Sequence, residues 1–301
     1  LGPEGISALG NNCSRKRHGH ESEREREGGC QIRMIMSESH DGVFALSGAE
    51  TTQIGHLFRI NGATGAARSV SDVGDQMYKW TSDNAGLFPD DFPDSNPYGV
   101  LVTKDDHSDH VRTFVADAGA NTIIEIMAGG VTRVISYIPN ETKPPLRDST
   151  PTCIAQGPDG MLYVATLNFV ANLFGPDGPG QSNVWKVDPN ANFPTEPTLW
   201  ASGLTTATAC TFDSDGNFWA TEMFQPNVGG APGDVVRIPF EHPDQLDRIG
   251  GGVLPLPGGI AEGPDHAMYV SINSSSPVKD SGAVVKISFG ERDDDGDNDG
   301  D

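Results

Sequence analysis

The sequence has no uninterrupted apolar run long enough to serve as a membrane-spanning helix. It is poor in basic residues: 20 Lys and Arg stand against 42 Asp and Glu, a formal net charge of -22. So acidic a chain repels phosphate backbones, which argues against nucleic acid as a partner and for cations or basic surfaces. Aromatic residues are few, 7%, and all hydrophobic types together reach 36%, enough for a core made of thin sheets. Nucleophile motifs are missing as well. There is no GxSxG, no Ser-His-Asp or Cys-His pattern stands out, and the eight histidines are scattered, mostly through polar loops where they read as solvated.

What is abundant is turn chemistry: 37 Gly and 22 Pro in 301 residues favour many short strands over long helices. The stretch Pro151 to Thr166 shows the unit. Cys153-Ile154-Ala155 and Leu162-Tyr163-Val164-Ala165 are short apolar runs, and Gly157-Pro158-Asp159-Gly160 is a turn between them. The unit recurs. Thr211-Phe212 turns at Asp213-Ser214-Asp215-Gly216 into Phe218-Trp219-Ala220-Thr221. Ile260-Ala261-Glu262 turns at Gly263-Pro264-Asp265-His266 into Met268-Tyr269-Val270-Ser271. Earlier copies turn near His110 and at Asp41-Gly42, the latter leading into Val43-Phe44-Ala45-Leu46-Ser47. A spacing of roughly 50 to 70 residues, with up to four short strands per copy, is the mark of β-propeller blades.

The predicted fold is therefore all-β: a β-propeller of four-stranded blades over residues 1–290, five blades visible, with an acidic Asp/Gly tail over 291–301. Trp185, Trp200 and Trp219 read as blade-to-blade contacts. A charged insertion, residues 11–30, interrupts the first blade. Its His18 and His20 read as solvated. The last blade shows three strands, which leaves an open edge where another chain could add a strand and build a filament.

The segments DSNPYGVLV (Asp94 to Val102), FVADAGANTIIEI (Phe114 to Ile126), PTCIAQGPDGMLYVATLNF (Pro151 to Phe169) and VWKVDP (Val184 to Pro189) resemble the ScyD/ScyE family of secreted, NHL-like β-propellers. The resemblance covers the middle of the chain. It implies the fold, export from the cell and a sixth blade in the full-length protein. It brings no catalytic residues with it.

Four cysteines form plausible pairs, Cys13–Cys30 at the base of the insertion and Cys153–Cys210 at similar places in successive blades. Such pairs imply an oxidising, extracellular compartment. Asn12, Asn140 and Asn273 begin Asn-x-Ser/Thr sequons and are expected glycosylation sites of a secreted protein.

Aligning the repeats places Ser47, Asp117, Thr166 and Thr221 at the ends of second strands, near the mouth of the axial channel. Asn96, Asn121, Asn168, Glu222 and Asn273 lie close by in sequence. Oxygen side chains converging there could bind a ligand or hold Ca²⁺. The other reading is that these groups cap strand ends and satisfy buried backbone. In the tail, Asp295, Asp297 and Asp299 followed by Gly300 match the start of a calcium loop. The resulting expectation is a secreted binding or scaffolding propeller whose partner is a small molecule, a glycan or a protein. The alternatives are a metal-dependent, lactonase-like hydrolase and a filament subunit.

Overall fold

The computed structural model describes residues 3–9, 31–36, 54–88, 92–104, 110–140, 148–192, 194–225 and 232–288. Short apolar strands broken by Gly, Pro and Asp can satisfy their backbone only by pairing with the next strand, and each does so antiparallel. Blade 1 is β1 (Pro3–Leu9), β2 (Gln31–Met36), β3 (His56–Ile60) and β4 (Ala67–Asp72). Blade 2 is β5 (Pro97–Lys104), β6 (Val111–Asp117), β7 (Thr122–Ile126) and β8 (Thr132–Tyr137). Blade 3 is β9 (Pro151–Gln156), β10 (Leu162–Thr166), β11 (Ser182–Val187) and β12 (Thr198–Leu204). Blade 4 is β13 (Ala207–Phe212), β14 (Phe218–Glu222), β15 (Gly233–Ile238) and β16 (Asp247–Leu254). Blade 5 is β17 (Ile260–Glu262), β18 (Met268–Ile272) and β19 (Ala283–Ile287). The result is a five-bladed propeller. A sixth blade is not among the described residues.

Each blade is an up-and-down sheet in sequence order. Its first strand is innermost, and neighbouring blades touch through β1, β5, β9, β13 and β17 in turn. The approach is close. A Cβ on Gly99 of β5 would lie 2.8 Å from the Thr152 carbonyl oxygen of β9, so only glycine fits. Hydroxyls tie the same seams: Thr152 donates to the Ala207 carbonyl at 2.8 Å and Thr208 to that of Pro257 at 3.1 Å. Four apolar layers fill the spaces between successive blades. The layer between blades 3 and 4 holds an aromatic cluster in which Tyr163 meets Trp200 at 4.9 Å, Phe212 at 5.1 Å and Phe240 at 5.9 Å. Trp219 and Trp185 also lie against such layers.

The Cys153–Cys210 bridge is present, with a Cα–Cα distance of 5.6 Å. Cys153 points forward from blade 3 and Cys210 backward from blade 4, so alternation along two adjacent inner strands brings the sulfurs together. Cys13, Cys30, Asn12, the insertion and the tail lie outside the described residues.

Blade 1 departs from the expected reading. Its second strand is Gln31–Met36, paired with β1 on one side and β3 on the other. The first hairpin is therefore β1–β2, and the Asp41-Gly42 turn and Val43–Ser47 lie outside the described residues. Leu9 pairs with Gln31, so residues 10–30 separate these two strands in sequence. Helix α1 (Val73–Asp83) follows β4, its first turn capped by the Asp72 carboxylate, which accepts from the Asp75 N–H at 3.1 Å. A short helix, α2 (Phe169–Phe174), follows β10. No helix among the described residues is long and apolar enough to cross a membrane.

Candidate functional site

The second strands β6, β10 and β14 end at Asp117, Thr166 and Glu222, which are equivalent by register: they pair with Pro97, Pro151 and Ala207 at the same irregularity of the inner strand. Thr221 is therefore one residue out of the expected alignment. A one-residue slip moves a side chain to the other sheet face. Ser47 lies outside the described residues, and the blade 1 residue at the register position of Asp117 is Met36.

Most of these polar groups are committed within the fold. Asp117, fully buried, accepts hydrogen bonds from the Ser95 hydroxyl at 2.7 Å and from the N–H groups of Asn96, Gly119 and Ala120 at 2.7, 3.1 and 2.9 Å. It thereby clamps the loop entering blade 2 onto the β6–β7 turn. Burial pushes its carboxyl up, against the pull of those donors. Asn121, held at φ 51°, donates through Nδ2 to Asn140 and to Asp148, both at 2.9 Å, and accepts from the Thr150 N–H at 2.9 Å. It joins the turn of blade 2 to the connection entering blade 3. Thr166 bonds the backbone of Asn183 in both directions, at 3.1 and 3.3 Å. Thr221 donates to the Gly258 carbonyl at 2.7 Å and lies 2.8 Å from the Thr208 hydroxyl. These contacts fit the strand-capping reading of the residues.

The sequons divide. Asn140 spends its Oδ1 on Asn121 and the Ser149 N–H, at 2.9 and 3.3 Å. Asn273 donates its Nδ2, the atom a glycan would take, to the Ser281 carbonyl at 2.9 Å.

Glu222 is different. It has no solvent exposure, and β14 pairs it directly with Asp234 of β15, itself only 2% exposed. One carboxylate oxygen accepts from the Thr205 N–H at 2.6 Å. Arg248 of β16 reaches in from the rim, its Nε 3.2 Å from Glu222 and 4.0 Å from Asp234, while its other arm holds the Gly203 carbonyl at 2.8 Å. Burial, and then Asp234 beside it, push the Glu222 carboxyl up to about 8; burial also raises Asp234. Asp234 Oδ1 meets no donor among the described residues. A proton on Glu222 resolves both facts, since the pair then carries one negative charge, balanced by Arg248, and one acid donates to the other. Asp234 and Arg248 were not singled out from the sequence. The only signal was positional, because Asp234 opens the third strand of a blade whose second strand closes on Glu222.

The loops beyond these strand ends carry apolar rings. Phe169 lies 6.3 Å from Phe174 and 6.1 Å from Phe224, bridging the loops of blades 3 and 4. Phe174 is 73% exposed, and Val170 on the same short helix is also exposed. Asn168, at the start of α2 with φ 44°, is buried, and its Oδ1 meets no partner among the described residues. No three His, Cys, Asp or Glu side chains among the described residues converge to hold a metal ion. Asp295, Asp297 and Asp299 lie outside those residues.

No protein-family model matches the chain, and no curated protein does. Solved structures do resemble it. One, titled a streptogramin B lyase structure, is 14% identical; the match covers 96% of this chain and 69% of that one, with a TM-score of 0.48. A calcium-binding protein, regucalcin, from Agrobacterium tumefaciens is 14% identical over 80% of this chain and 64% of its own, TM-score 0.45. A nidogen/laminin complex gives 14% identity over 72% and 64%, TM-score 0.46. Likeness at this level leaves the chemistry to the chain's own residues.

Proposed function

We propose that the protein is a secreted propeller that binds a partner outside the cell, without chemistry of its own at the channel mouth. The observation that carries this reading is the commitment of Asp117, Asn121, Thr166 and Thr221 to internal hydrogen bonds. What stays open on that side is the ring cluster around Phe174. An exposed ring, Phe174, beside the half-buried Phe169 suits the apolar face of a sugar or the side chains of a protein. An interblade disulfide suits an oxidising location. Binding to arrays of immobilised glycans and secreted proteins tests it. Wild-type capture should fall at least tenfold in a Phe174→Ala variant; capture that ignores the substitution overturns the reading.

A second reading has its own observation. The Glu222–Asp234 pair is a buried acid whose proton is held into the neutral range, as general acids require. A lactonase-like hydrolase could use such a group, with calcium to polarise the substrate carbonyl. Hydrolysis of a lactone panel, with and without added calcium, tests this. Turnover by the wild type that disappears in Glu222→Gln would displace the binding reading.

A further inference from the structure

Blade 1 brings a histidine, a serine and an aspartate together on its two outer strands. His56 opens β3, and Ser69 and Asp72 lie on β4. The imidazole stands between the other two: Nδ1 lies 2.7 Å from the Ser69 hydroxyl and Nε2 3.4 Å from Asp72 Oδ2. The register that allows this is irregular. His56 pairs with Asp72 and Leu57 with Ser71, but Phe58 pairs with Ser69, so Val70 is an extra residue in β4. Strict alternation from Asp72 would turn Ser69 to the opposite face of the sheet. The bulge at Val70 returns it to the face of His56 and Asp72, and bulges beside active sites re-aim side chains in this way.

The aspartate is held independently of the histidine. Its Oδ1 accepts from the Asp75 N–H at 3.1 Å as the cap of α1, which leaves Oδ2 for the imidazole. Its carbonyl accepts from Gln76 Nε2 at 2.7 Å, and Gln76 Oε1 in turn accepts from the Thr132 N–H of blade 2 at 2.9 Å. The buried Phe58 ring lies 6.3 Å from the imidazole, centroid to centroid. Ser69 is on the outermost strand of the blade and is exposed, and the His56 side chain is partly so.

We propose that Ser69 is an activated nucleophile that cleaves carboxylic esters, with His56 its general base and Asp72 the group that orients the base. In the tautomer whose Nε2 proton faces Asp72, Nδ1 presents its lone pair to the Ser69 hydroxyl. Oγ attacks the ester carbonyl carbon while its proton passes to Nδ1. The C–O bond to the alcohol then breaks, and the imidazolium gives that proton to the departing oxygen. Water, losing a proton to the same nitrogen, releases the acid, and the serine takes the proton back. The imidazole uses its two nitrogens in the reverse of the usual order, but the chemistry needs one acceptor and one anchored N–H, and both are here. Glu222 and Asp234 lie in blade 4 and Phe174 follows β10 of blade 3, so the proposal stands apart from both readings above.

A fluorophosphonate probe, which activated serines capture with loss of fluoride, tests this by mass spectrometry of the intact protein and of its peptides. The wild type should take up one probe, at Ser69, and Ser69→Ala should take up none. His56→Gln, which keeps a hydrogen-bonding side chain but no base, should slow labelling by about a hundredfold. Asp72→Asn retains a good cap for α1 and should slow it by about tenfold. None of the three side chains is fully buried, and unchanged thermal transitions verify folding. Hydrolysis of p-nitrophenyl acetate should fall in the same order. A wild type left unlabelled, a probe found only on another residue, or Ser69 labelled at the wild-type rate in His56→Gln would each overturn the proposal and leave the three residues a hydrogen-bonded pin between β3 and β4.

Discussion

Tyr163 and Tyr269 hold the same polar arrangement one hundred and six residues apart, one sealed between blades 3 and 4 and the other half-buried on blade 5. Each hydroxyl donates to the turn aspartate, Asp159 at 3.1 Å and Asp265 at 3.0 Å. A cross-strand lysine reaches the same carboxylate, Lys186 at 2.6 Å and Lys286 at 2.7 Å. Each ring also lies over the first glycine of its turn. A Cβ on Gly157 would fall 2.4 Å from Tyr163, and one on Gly263 2.3 Å from Tyr269.

Gly157→Ala should therefore destabilise by about 1–3 kcal/mol, because Tyr163 is locked among Trp200, Phe212 and Phe240 and cannot yield. Gly263→Ala should cost clearly less, since the half-buried Tyr269 ring can swing aside. Denaturant midpoints of the two variants decide this, and equal losses would contradict it.

Reduction of Cys153–Cys210 should lower stability by about 4 kcal/mol on loop-closure grounds, the bridge closing a separation of 57 residues. Urea unfolding of wild type and a Cys153→Ala/Cys210→Ala double variant, with and without reductant, measures it. Reductant should cost the wild type about that much more than it costs the double variant, which keeps only Cys13 and Cys30.

Asp117→Ala should destabilise by about 2–4 kcal/mol, because it leaves the N–H groups of Asn96, Gly119 and Ala120 without the oxygen they share. Hydrogen exchange should quicken first at the amides of Asn96 and Ala120, the two halves of the clamp. Protection unchanged at both would mean the clamp is not what holds this junction.

The Glu222 carboxyl sits above its ordinary value, so its contribution is fully present below about pH 4.5 and is lost as pH rises through about 8. Melting temperature should thus fall between about pH 5 and pH 8.5. Glu222→Gln, which cannot ionise, should flatten that fall while keeping an acceptor for the Thr205 N–H. An unaltered slope would place the titration elsewhere.

Much of this fold could be read from the chain because its turns announce themselves. Gly157-Pro158-Asp159-Gly160 and its copies mark the hairpins, and alternation through Tyr163 and Tyr269 marks the strands they join. Blade 1 was misread for a local reason: Asp41-Gly42 before an apolar pentapeptide imitates the repeat, while β2 is parted from β1 by residues 10–30. The strand Asp247–Leu254 was missed because Gly250, Gly251 and Gly252 erase its alternation. The candidate site was read less well. Single residues at strand ends were visible, but the Glu222–Asp234 pair exists only once the β14–β15 register is known.

The bridge between blades 3 and 4 also shapes how the molecule comes apart under load. Both cysteines lie in innermost strands, so tension applied at the two chain ends bypasses everything between them. The outer blades can peel away in steps, but the 57-residue separation inside the covalent loop adds nothing to the extended contour while the sulfurs stay joined. In a single-molecule stretching record, reductant should release about 20 nm of hidden length at full extension.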